Sequence, residues 1–204
     1  MLARDLIVKP EYDSLLNHVA VVIVPMYNIS GVLNRGCCSR PNQDGPEEYG
    51  FRANIQNLDL NRDFIKSDSY ESQILQHFFT EWQPEILADT HVTDGADYQY
   101  TMTYIATQHN KLHPLLAEYE TENLVPFMEQ EMKKDDFETC PYVTNMKDVP
   151  DSGIVEFIET PRYSTGYAAL FNCIGFVVET HMLKPFDRRT ISTYRFLLHL
   201  IRKT

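Results

Sequence analysis

The sequence has no apolar run of membrane-spanning length, no Cys-x-x-Cys pair, no internal repeat, no coiled-coil heptads and no low-complexity tract. A membrane-crossing helix needs about 20 consecutive apolar residues, so no segment here reads as one. The four cysteines, Cys37, Cys38, Cys140 and Cys173, lack the spacing of a structural zinc site or a redox pair, and they do not reveal the compartment. The N-terminus, MLARDLIVKPEYD, lacks the charged, apolar and small-residue order of a signal peptide, so any targeting segment would lie upstream of Met1. Basic charge is also scarce. Eighteen Lys and Arg face 29 Asp and Glu, for a net charge of −11. That is the wrong sign for gripping nucleic-acid phosphates and implies a soluble, acidic surface.

What is present suits one domain of mixed α/β type. The chain has 204 residues, 43% of them hydrophobic and 12% aromatic, enough for one sizeable core. Residues 1–17 read as the end of one helix and a short second one, broken at Pro10. His18–Pro25, with the run Val-Ala-Val-Val-Ile-Val, reads as a strand buried on both faces. A long aperiodic loop, 26–58, follows. Asp68 or Ser69 caps a helix with an apolar face at Ile74, Leu75, Phe78, Phe79 and Trp82, and Glu85–Val92 is a strand. After a turn at 93–97, alternation from Tyr98 to Tyr104 predicts a half-buried strand. Residues 110–134 read as helical, with Pro126 kinking or ending the helix. Ile154–Ile158 and Ile174–Glu179 read as strands, Ser164–Phe171 as a short helix and Asp187–Lys203 as the last helix. The expected fold is a mixed sheet with helices on both faces, with the strands near 19–24, 86–91 and 174–179 as neighbours.

The densest polar stretch is Phe51–Phe64, FRANIQNLDLNRDF. Asn61 and Arg62 present a carboxamide beside a guanidinium, planar donors that match both oxygens of a carboxylate where lysine would not. His91 closes one apolar strand and Glu179 another, and the C-terminal ends of strands are where open α/β sheets bind ligands. A carboxylate leaving a buried strand is partly desolvated, which raises its pKa toward a value useful in proton transfer. Glu156 and Glu159 are weaker candidates, since Glu159 precedes Thr160-Pro161 and reads as a loop residue. Asp94, three residues after His91, is a local partner of low weight.

The order Arg-x-Asn at 52–54, Asp-x-Asn-Arg at 59–62, a strand ending in Asp-Thr-His91 and a later strand ending in Phe-Val-Val-Glu179 resembles the zinc metallocarboxypeptidases of the carboxypeptidase A type, over nearly the whole chain. The resemblance implies that His91 binds Zn2+ and that Glu179 is the general base and acid, taking a proton from a zinc-bound water. Arg52 would stabilise the oxyanion, and Asn61 and Arg62 would grip the substrate's C-terminal carboxylate. Asp59 would orient a metal-binding histidine. Tyr163 and Tyr167 both stand where the family's substrate-covering tyrosine is sought, and spacing does not choose between them. The implied partner is a peptide or acylated amino acid with a free carboxylate.

One departure is large. The family's opening His-x-x-Glu is missing, because none of the seven histidines has Glu three residues on. A catalytic zinc takes three protein ligands, so His91 alone predicts weak metal binding and no turnover in this chain. A fragment beginning just after that motif is the favoured explanation over a homologue that has lost its metal. An aspartoacylase-like amidohydrolase and a non-catalytic module that binds peptide C-termini are the alternative readings. Side-chain specificity and oligomeric state are not readable.

Overall fold

The strand that carries Glu179 is the centre of the fold, paired on both of its edges. The computed structural model describes residues 1–40, 43–93 and 96–204. The strands are β1 (Ile86–Thr93), β2 (Met102–Ala106), β3 (Thr139–Pro141), β4 (Val143–Asn145), β5 (Ile154–Glu156) and β6 (Ile174–His181). The α-helices are α1 (Leu2–Val8), α2 (Ile29–Leu33), α3 (Tyr70–Trp82), α4 (Pro114–Tyr119), α5 (Val125–Lys134), α6 (Ser164–Ala168) and α7 (Phe186–Lys203). Four strands form one sheet in the order β1-β6-β2-β3, and β4 and β5 form a separate hairpin. The sheet is mixed: β1 runs parallel to β6, β2 antiparallel to β6, and β3 parallel to β2.

Strand alternation sorts β6 between two layers. Ile174, Phe176 and Val178 face Leu124, Met128, Met132 and Phe196 of the α5 and α7 layer, in the larger core cluster. Gly175 lies on the other face, against the Thr165 backbone of α6, where an added Cβ would stand 3.0 Å from Thr165 Cα. Phe64, Phe79 of α3, Tyr167 and Cys173 complete that second layer. Helices therefore flank both faces.

Most local signals hold. Ser69 caps α3 by accepting from the Ser72 N–H, and Gln83, with φ 45°, ends the helix in a left-handed turn just before Pro84. Pro114 sits in the first turn of α4. A π-helical turn, Glu120–Leu124, joins α4 to α5 and brings Pro126 into the first turn of α5, where its missing N–H costs little.

Two expectations fail. Residues 19–24 are not a strand: Val22, Ile23 and Val24 are 47%, 43% and 56% exposed, Val19 and Val21 are half-buried, and Val21 packs against the Leu6, Tyr12 and Leu198 cluster. A β-branched run needs strand partners and a covering layer to be buried, and this one meets neither. The strand expected from Tyr98 begins only at Met102, because the Tyr98 hydroxyl is drawn out to Val143, accepting from its N–H and donating to its carbonyl. In the expected turn at 93–97, residues 94 and 95, including Asp94, lie outside the described residues.

Candidate functional site

The site forms where the second helical layer stops short. Helix α6 covers the first half of β6, so Asp89 and His91 of β1 and Glu179 of β6, all on that face, emerge beyond its edge. His91 and Glu179 are direct register partners. They line a cavity of about 620 Å³ whose wall also includes Arg52, Asp59, Asn61, Arg62 and Tyr163. Seven residues singled out from sequence, spread from 52 to 179, thus share one cavity.

The turn carrying Asn61 and Arg62 is built from its own side chains. Leu60 and Phe64 are 4% and 5% exposed and anchor the turn in the core. Asp59 Oδ1 accepts from the Asn61 N–H at 3.0 Å, which fixes the short 3₁₀ turn Leu60–Arg62 between those anchors. Asn61 and Arg62 are left half-buried at the cavity wall. Upstream, Asn54 is buried and its Oδ1 accepts from the Gln56 and Leu58 N–H groups, so the Asn of Arg-x-Asn shapes the loop. Asn28 Nδ2 donates to the Arg52 carbonyl at 2.9 Å and ties that loop to the start of α2.

The charges are unequally committed. Arg52 is held by Asp59, with Nε and Nη2 at 2.9 and 2.8 Å from Oδ2. Asp59 therefore positions an arginine; its hydrogen bonds go to Arg52 and the Asn61 N–H, and to no histidine among the described residues. Arg62 donates to its neighbour's carbonyl, Asn61 O, at 2.7 Å and lies 4.8 Å over the Tyr163 ring, with no carboxylate partner among the described residues. Tyr167 is buried among Phe64, Phe79 and Phe171, away from the cavity wall.

Around His91 the balance is acidic. Its Nε2 meets Asp89 Oδ2 at 2.8 Å and its Nδ1 faces Glu179 Oε1 at 3.8 Å. Burial alone would lower the imidazole pKa, but the Asp89 carboxylate more than offsets it, and Glu179 and Glu159 add to the rise, to about 9. Burial opposes ionisation of Asp89, and the adjacent imidazolium overcomes it, holding that carboxyl below its ordinary value. Glu179 is pushed up to about 7 by burial, with His91 opposing and Asp89 adding. Its Oε2 is buried without a partner among the described residues, as is Asn61 Oδ1.

The described residues do not complete a zinc site. A catalytic zinc takes three protein ligands, and His91 is the one histidine among the described residues of the cavity wall. Among the described residues no group of three or more His, Cys, Asp or Glu side chains is placed to hold a metal ion.

Three further charged residues line the cavity; the sequence offers Glu159 only as a weaker candidate and assigns no role to Asp89 or Arg40. Asp89 was within reach of a sequence argument, because strand alternation places residue 89 on the face of residue 91. Glu159 is in a loop, as expected, yet is 6% exposed and lines the cavity. Its carboxylate accepts from the Thr165 N–H at 3.0 Å and from the Thr165 hydroxyl, and burial raises its pKa. The chain reaches this position because Gly166 lets the Thr160 backbone lie directly on α6. Arg40, from the aperiodic loop, lines the cavity and donates to the Val92 carbonyl at 3.3 Å. In the same loop the adjacent Cys37 and Cys38 are joined as a disulfide, while Cys140 and Cys173 are free.

No protein-family model matches the sequence, and no curated protein matches it significantly. Among solved structures, the fold is similar to a metallo-carboxypeptidase from Pseudomonas aeruginosa in complex with (2-guanidinoethylmercapto)succinic acid. The TM-score is 0.48 and the identity 16%, over 78% of this chain. This chain spans 43% of that protein, less than half its length.

Proposed function

We propose that this chain is the carboxylate-recognising part of a metallocarboxypeptidase-type active site, binding a peptide or acylated amino acid by its free C-terminal carboxylate. The observation that carries the reading is the Asn61-Arg62 pair at the cavity wall. Arg62 is half-buried there without a carboxylate partner, and the adjacent Asn61 carboxamide oxygen without a hydrogen-bond partner, among the described residues. A guanidinium in that state offers two parallel N–H donors to a carboxylate, and the carboxamide adds another after rotation. Tyr163 supports Arg62 from below. Arg52, already neutralised by Asp59, serves the carbonyl next to the carboxylate rather than the carboxylate itself.

Cleavage is assigned to a protein in which further zinc ligands join this segment, with Glu179 as its general base. His91 is the one histidine at the cavity wall among the described residues, a third of what a catalytic zinc needs, so the 204-residue chain is expected to bind without turnover. The same site would take the carboxylate of an acylated amino acid, but nothing in the cavity favours that substrate over a peptide.

The test combines metal analysis with a binding and hydrolysis assay on a blocked dipeptide. The expected result is substoichiometric zinc, no hydrolysis, and binding that Arg62→Ala weakens by about tenfold or more, the loss of one charge-assisted pair. Stoichiometric zinc, or binding indifferent to Arg62→Ala, would overturn the assignment.

A further inference from the structure

Arg62 also forms part of a second cavity. This space, of about 390 Å³, is lined by Leu58, Asp59, Arg62, Asp63, Lys66 and Arg162, so that Asp59 and Arg62 form a wall common to both. Formally it holds three cations and two anions, but the anions are spent elsewhere. Asp63 is 3% exposed, and its oxygens accept from the Asp68 and Ser69 N–H groups at 3.0 and 2.9 Å and from the Ser69 hydroxyl at 2.6 Å. Asp59 is taken by Arg52 and the Asn61 N–H. Of the cations, Lys66 is paired with the exposed Asp68, and its charge is opposed by the nearby Arg162. Arg162 has neither an ion pair nor a hydrogen bond among the described residues, and Arg62 has no carboxylate.

The half-buried Arg62 and the exposed Arg162 have no carboxylate partner among the described residues, and the exposed Lys66 is paired only with the exposed Asp68, so the cavity carries an excess of positive charge. Guanidinium forks match the oxygens of a tetrahedral oxyanion, and an ammonium serves it as a point charge. We propose that this second cavity binds a small oxyanion of the phosphate class through Arg62, Lys66 and Arg162, and that the bound anion competes for Arg62 with the carboxylate in the main cavity. The competitive part rests on the carboxylate reading above; the oxyanion site does not. An occupied second cavity draws the Arg62 guanidinium toward itself, so phosphate lowers peptide affinity without entering the peptide cavity.

Calorimetric titration of the full chain with inorganic phosphate, and separately with the blocked dipeptide, tests both parts. Potassium chloride at matched ionic strength controls for screening. Saturable phosphate binding is expected, weakened about tenfold by Arg162→Ala and less by Lys66→Ala, with Arg195→Ala, a surface change at α7, leaving it unchanged. Phosphate should raise the apparent Kd of the dipeptide in the wild type, and the effect should vanish in Arg162→Ala, whose dipeptide affinity in phosphate-free buffer is that of the wild type. Thermal melts of each variant confirm folding. Phosphate binding that is undiminished by both Arg162→Ala and Lys66→Ala, or an effect that chloride reproduces, overturns the site. Independent binding of phosphate and dipeptide overturns the competition. Phosphate binding that depends on Arg162 in a chain with no dipeptide affinity upholds the oxyanion site and sinks the carboxylate reading alone.

Discussion

Residues 174–181 and 18–25 are written in nearly the same β-branched and aliphatic vocabulary, yet they end in opposite environments. In β6, Ile174, Phe176, Val177 and Val178 are at most 2% exposed, while Val22, Ile23 and Val24 are 43% or more exposed. The difference lies in what surrounds them. β6 has β1 and β2 on its two edges and helices above and below, whereas residues 18–25 pass over the α1 and α7 cluster and engage it through Val21. Propensity proposes a strand, and partners decide whether it is buried.

The strongest way to break this comparison is to truncate one side chain in each stretch. Phe176→Ala removes a ring packed on Phe196 and Tyr104 and should destabilise the protein by about 3–5 kcal/mol in a denaturant titration. Ile23→Ala should change stability by no more than about 0.5 kcal/mol. Comparable losses at both positions would mean that 18–25 is a buried strand after all.

A smaller effect sharpens the contrast on the α5 side of the sheet. Glu120, in the π-helical turn, is 1% exposed with Oε1 unpartnered among the described residues, and burial pushes its pKa up from 4.5 to about 8. The folded state therefore holds the proton more tightly than the unfolded chain. The stabilisation is fully present below about pH 4.5 and is lost as pH rises through about 8, with a slope of up to ~1.4 kcal/mol per pH unit. Glu120→Gln should remove that slope, so its stability relative to the parent should rise between about pH 5 and about pH 8 in paired denaturation curves. A constant difference would place Glu120 in contact with water.

Smaller again is the cap of α3. Ser69→Ala should cost about 1–2 kcal/mol, since the hydroxyl serves both the Ser72 N–H and the carboxylate of Asp63, the residue that follows the Asn61-Arg62 turn. Loss of dipeptide affinity alongside this modest cost would show that the cap reaches the binding site.

The helices, the two site-bearing strands and the polar stretch at 52–62 were legible because each carries a local signal: a cap, an alternation, a dense run of forked donors. Arg40 was not, and Glu159 was legible only as a weaker loop candidate, because their positions come from chain crossings that leave no period in sequence, one made possible by Gly166. The pairing of Arg52 with Asp59 was also hidden. They lie seven positions apart, and only the folded loop brings the two charges together. His91 was found as a strand-end residue, but its protonation depends on Asp89 and Glu179 together, which a motif does not express.

The central claim, that the main cavity reads a free C-terminal carboxylate, is tested most directly by titrating the chain with a blocked dipeptide and with its C-terminally amidated twin in phosphate-free, low-salt buffer. The amide keeps the shape and loses the charge that Arg62 and Asn61 are placed to meet. Binding about 10- to 100-fold weaker for the amide, with the difference erased in Arg62→Ala, is the predicted result. Equal affinity for the two peptides in the wild-type chain would contradict it.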